Sequence, residues 1–87
     1  MAEIKVTPMD DATFQVTVTD KSTTMHEVKV QAAYAQKLTG GKITTAQLVK
    51  KSFEFLLERE PNTSILRSFD LSVIARYFPE YEHVIAK

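Results

Sequence analysis

Phe14, Val16 and Val18 alternate with Gln15, Thr17 and Thr19, the period-2 pattern of a half-buried strand. The alternation resumes from Thr24 to Gln31, with Val28 and Val30 on one face and Glu27, Lys29 and Gln31 on the other. Asp20-Lys21-Ser22-Thr23 between them is a polar connection of hairpin length. Together they predict a β-hairpin from about Phe14 to Gln31. Ile4 and Val6, ahead of Pro8, suit a short edge strand.

The period changes after Gln31. Ala32, Ala33, Tyr34, Ala35 and Leu38 form a short helical pattern that Gly40-Gly41, the only glycines, should stop by supplying a left-handed cap and a turn. Thr44 or Thr45 is placed to cap a long helix over Thr45–Glu60, ended by Pro61. At 100° per residue, Thr45, Ala46, Leu48, Val49, Ser52, Phe53, Phe55, Leu56 and Leu57 of that helix fill an arc of about 200°. A helix packed on one surface needs little more than ~100°. This helix must therefore be covered from two directions, by its own chain or by a second copy.

Beyond Pro61, Asn62, Thr63 or Ser64 can cap a segment carrying Ile65, Leu66 and Phe69, and Asp70 another carrying Leu71, Val73, Ile74, Tyr77 and Phe78. Pro79 suits the first turn of a last helix with Tyr81, Val84 and Ile85 on its apolar side. The expected fold is α+β, one domain over residues 1–87, with an N-terminal hairpin and a helical half of one long and several short helices. Its expected core is Val16, Val18, Val28, Val30, Leu48, Val49, Phe53, Leu56, Leu57, Leu66, Leu71 and Ile74.

Length sharpens the question of what covers the long helix. At 87 residues with no cysteine, a single core is only just sufficient and no disulfide can supplement it. That favours a homodimer. The 44 % hydrophobic content suits a folded globule. No apolar run approaches the ~18 residues of a membrane span, and MAEIKVTPMDD lacks the features of a secretion signal, so a cytoplasmic chain without membrane contact is expected.

Eleven basic and eleven acidic residues cancel, where nucleic-acid binders usually carry a basic excess. The excess that exists is local: residues 1–24 are net acidic, residues 25–60 net basic. His26 and His83 lack metal-ligand spacing and read as surface polar residues. Asp10-Asp11 reads as a loop pair. No serine lies in a nucleophile-elbow setting and no glycine loop has phosphate-binding spacing. The chain is therefore expected to have no catalytic residues, cofactor or metal. Tyr77-Phe78-Pro79-Glu80-Tyr81 gathers aromatics, which anchor interfaces by burying large area for few rotors. Tyr77 and Tyr81 are the candidate interface residues.

From His26 to Glu60, the run HEVKV, QAAYAQKL, TGGKIT and TAQLVKKSFEFLLERE resembles the ribbon-helix-helix family of dimeric DNA-binding regulators. The resemblance implies that two ribbons pair between subunits and that Glu27, Lys29 and Gln31 face the major groove, Lys29 and Gln31 reading bases. It further implies phosphate contacts from Lys42, Lys50 or Lys51 and from the amides of Thr44 and Thr45. The preceding strand departs from that pattern, because it can pair with the ribbon inside one chain. KKSFEFLLEREPNTSILRSFDLSVIARYFPEYE also resembles a segment of small bacterial proteins of unassigned function, which implies no activity. Two readings follow: a small protein-interaction module with an unidentified protein partner, or a ribbon-helix-helix regulator.

Overall fold

The computed structural model describes residues 2–86 and has an α+β fold. Strands β1 (Glu3–Pro8), β2 (Thr13–Thr19) and β3 (Thr23–Lys29) form an antiparallel meander. Helices α1 (Ala32–Thr39) and α2 (Thr45–Leu57) then carry the chain to β4 (Ser68–Asp70), which lies parallel to β3. Helices α3 (Val73–Tyr77) and α4 (Tyr81–Ile85) follow. The predicted hairpin is thus the centre of a four-stranded sheet, ordered β1-β2-β3-β4. Strand β4 is a correction: the segment after Pro61 is a 3-10 turn, Asn62–Ser64, and then a strand.

Register puts the apolar residues on one face. Ile4 sits opposite Val18, Val6 opposite Val16, Phe14 opposite Val28, and Val28 beside Phe69. His26 shares that face, opposite Val16, and is buried. Its expected surface position is wrong, because its parity is that of Val28 and Val30 rather than of the exposed Glu27 and Lys29. Among the described residues, no layer packs on the other face, which carries Lys5, Thr17, Met25, Glu27 and Lys29.

Local chemistry sets the end of α1 and the start of α2 as predicted. Gly40 and Gly41 have φ of 62° and 79°, and the Gly40 amide closes on the Gln36 carbonyl at 2.8 Å. Thr44 caps α2 reciprocally: its hydroxyl accepts from the Gln47 amide at 3.1 Å, and its own amide donates to Gln47 Oε1 at 2.9 Å. Helix α2 stops at Leu57, short of the expected Glu60, since Pro61 disfavours helical backbone before it.

The two-sided apolar arc of α2 is covered within one chain. Phe53 packs toward the sheet, its ring 5.3 Å from His26 and 6.1 Å from Phe69. Phe55 turns the other way, onto Tyr81 at 5.3 Å and Phe78 at 5.8 Å, edge to face. Ser52 donates to the Leu48 carbonyl at 2.7 Å, so the 2.6 Å contact between its oxygen and the Tyr81 hydroxyl is a bond donated by the tyrosine. The face that suggested a second copy is occupied by the C-terminal helices.

Of the expected core, ten residues are buried; Leu57 is half-buried and Leu66 is 47 % exposed. Ile65, not Leu66, points inward, because the backbone is extended at Ile65 and successive side chains of an extended segment turn to opposite sides.

A candidate interaction groove

The departure of Leu66 from the core follows from how the chain enters β4. After Pro61, Asn62 is drawn inside, where its Nδ2 donates toward Val18 O (3.3 Å), Ser22 O (3.0 Å) and Thr24 Oγ1 (3.0 Å). Two of these acceptors are carbonyls, which can only accept, so the amide orientation is determined by its surroundings. One residue group further on, the Leu66 carbonyl accepts from His26 Nδ1 at 2.8 Å, while His26 Nε2 shares a hydrogen with Thr24 Oγ1 at 2.8 Å. The chain from Asn62 to Leu66 is therefore fastened at both ends to β3 and to the turn before it. Beyond β4, the Asp70 carboxylate accepts from the Ser72 amide (3.0 Å) and hydroxyl (2.8 Å), turning the chain directly into α3.

Between these fastened segments lies a groove of about 380 Å3, within the range of small-ligand and side-chain pockets. Its floor and walls are Leu56, Ile65, Phe69, Val73, Ile74 and Phe78. Leu66 and Tyr77 stand on it with 47 % and 67 % of their surface exposed. Glu60 and Ser64 supply the polar margin. Arg67 and Arg76 are exposed, adjoin Leu66 and Tyr77 in sequence, and belong to none of the ion pairs among the described residues. By contrast, Arg59 on the far side of α2's end is engaged, lying 3.6 Å over the Phe55 ring and 3.4 Å from both Glu58 and Glu80.

The candidate residues separate. Tyr77 is at the groove. Tyr81 is fully buried against Ser52 and Phe55, which corrects its expected place at an interface. Burial pushes its phenol up to about 12. Burial and the 2.8 Å bond to Glu82 likewise raise the Tyr34 phenol.

Lys29 lies on the uncovered face of the sheet and the exposed Gln31 precedes α1. The strand that would form a DNA-reading ribbon has β2 along one edge and β4 along the other from Glu27 to Lys29. The Thr44 amide is already bonded to Gln47, and Thr45 is half-buried. Lys50 and Lys51 are exposed, but Lys50 lines an open cleft between β1 and α2 with Glu3, Asp20, Glu54 and Glu58. Four carboxylates around one ammonium make that cleft unsuited to phosphate. These residues do not converge on one site.

Asp10 accepts from the Ala12 amide at 2.8 Å, a bond that holds its carboxyl below the usual range and closes a turn. Among the described residues, no three His, Cys, Asp or Glu side chains are grouped so as to hold a metal ion, and no helix is long and apolar enough to cross a membrane. Sequence reasoning missed the groove because its walls come from α2, the 62–69 segment and α3. Only Tyr77 carried a signal, as an aromatic beside a proline-bounded helix end. No family model, curated protein or solved structure matches this chain.

Proposed function

We propose that this chain is a small, non-enzymatic protein-interaction module that takes apolar side chains of a partner protein into the groove between the 60–66 segment and α3. The observation that carries the reading is the pairing of Leu66 and Tyr77, both widely exposed, on the rims of one apolar cavity. Scattered exposed apolar residues are ordinary, but a concave apolar patch with an aromatic rim is the usual form of a hot spot. The groove holds one carboxylate, Glu60, and one phenol, Tyr77, which suits binding better than acid–base chemistry.

A regulator of ribbon-helix-helix type has less behind it. It needs a free ribbon edge and phosphate-binding groups, whereas β3 is paired on both sides and Lys50 sits among carboxylates.

The test is capture from the native cell, after nuclease treatment, with the tagged parent and with a Leu66→Ser/Tyr77→Ser variant. Both side chains are exposed, so the variant should melt within a few degrees of the parent. The reading expects a specific protein held by the parent and lost by the variant. Equal capture by both overturns it, and so does DNA of one sequence co-purifying when nuclease is omitted.

A further inference from the structure

We infer that the groove's partner binds as an extended strand added to the outer edge of β4, with alternate apolar side chains entering the groove and carboxylates meeting Arg67 and Arg76. This rests on the interaction reading above and specifies its mode. The register of β3 and β4 supplies the argument. In this parallel pair the Glu27 amide donates to the Arg67 carbonyl at 2.7 Å and the Leu71 amide to the Lys29 carbonyl at 2.8 Å, with Val28 beside Phe69. Parallel pairing uses alternate residues of a strand, so Arg67, Phe69 and Leu71 serve the ladder. The backbone groups of Ser68 and Asp70 point the other way, and β4 is the last strand of the sheet.

An unpaired edge is a template for another strand. What singles out this edge is its neighbour. Phe69, on the core face of β4, lines the groove, together with Leu66 just before the strand and Val73 and Tyr77 just after it. A strand laid against β4 would send every second side chain to that same face, about 5 Å beyond Phe69, over the cavity. A helix would bury apolar residues there but leave the Ser68 and Asp70 amides unanswered. The opposite edge, β1, is different: α2 packs across it and the cleft beside it is lined by Glu3, Asp20, Glu54 and Glu58. Arg67 and Arg76 are exposed and outside any ion pair among the described residues; beside Glu60 and Asp70 they make the β4 side mixed rather than acidic, and they offer cations to a segment bearing a carboxylate.

A phage-displayed library of random 12-residue peptides, panned on the intact chain and counter-panned on Leu66→Ser/Tyr77→Ser, tests this. The proposal expects enriched peptides with large apolar residues at i and i+2 and at least one Asp or Glu. In the complex with the synthesised winner, exchange of the Ser68 and Asp70 amides should slow about tenfold or more. Arg67→Glu/Arg76→Glu should weaken that peptide by about tenfold. Peptides spaced i, i+3, i+4, or unchanged exchange at Ser68 and Asp70, overturn the strand mode while the groove remains a docking site. Winners that bind the Leu66→Ser/Tyr77→Ser chain equally well overturn both. Failure to enrich any peptide overturns the extended-segment proposal.

Discussion

Asn62 is where the groove's wall is tied to the sheet, and replacing it separates hydrogen bonding from packing. Its side-chain amide has two hydrogens shared among three acceptors, Val18 O, Ser22 O and Thr24 Oγ1, in a residue only 4 % exposed. A buried hydrogen bond is worth about 1 kcal/mol net, and more when the acceptor is left without water. Asn62→Ala should therefore cost about 2–3 kcal/mol. Asn62→Asp keeps the shape but removes both donors and sets a carboxylate against three acceptors. An uncompensated buried charge costs about 3–5 kcal/mol. The isosteric change should thus be worse than the truncation at pH 7, against a total stability on the order of 4–13 kcal/mol for a chain this long. Lowering the pH to about 4 should narrow the gap between the two variants, because a protonated carboxyl regains one donor. Urea titrations followed by circular dichroism at both pH values measure the order directly, since the midpoint scales with stability at fixed slope. An Asn62→Asp protein as stable as Asn62→Ala at pH 7 would refute the reasoning.

Phe53→Ala, at a residue with no exposed surface between His26 and Phe69, should cost about 3–5 kcal/mol; a melt within a few degrees of the parent would contradict the core assignment. Tyr81 has a folded-state pKa of about 12 against 10.0 ordinarily, so the folded chain holds its proton more tightly than the unfolded one. Its contribution is complete below pH 10 and is lost as pH rises toward about 12. The stability advantage of the parent over Tyr81→Phe should shrink across that window in alkaline denaturation, with Tyr34 common to both proteins. Because the C-terminal helices cover the second face of α2, sedimentation equilibrium should return the monomer mass of 9.9 kDa at micromolar loading; twice that mass would show the homodimer expected from the chain's length and the width of that arc.

Much of the frame was legible because it rests on local rules. Alternation marked Phe14–Val18 and Val28–Val30, the glycine pair marked the end of α1, and Thr44 with Gln47 marked the start of α2. The width of α2's apolar arc showed that two surfaces cover it, but a helix face reads the same whether a second copy or the chain's own C terminus lies on it. Strand β4 is three residues long, too short to alternate, and exists because β3 offers it a partner. His26 follows its parity with Val28 rather than its polarity, and so lies on the buried face. Tyr81 and Ile85, four apart on α4 and both buried, were a readable pair. Leu66 is the instructive exception: its outward position follows from Asn62 and His26 holding the backbone across about 40 positions of sequence, which no local pattern encodes.

The claim that this groove is where a partner protein docks is tested most directly by photocrosslinking in the native cell. A photoreactive benzoylphenylalanine replaces Tyr77 in one strain and Lys5, on the uncovered face of the sheet, in another. The account predicts a discrete protein adduct from position 77, absent from position 5 and suppressed when Leu66→Ser is added. Adducts of equal yield from both positions, or an adduct from position 5 alone, would contradict it.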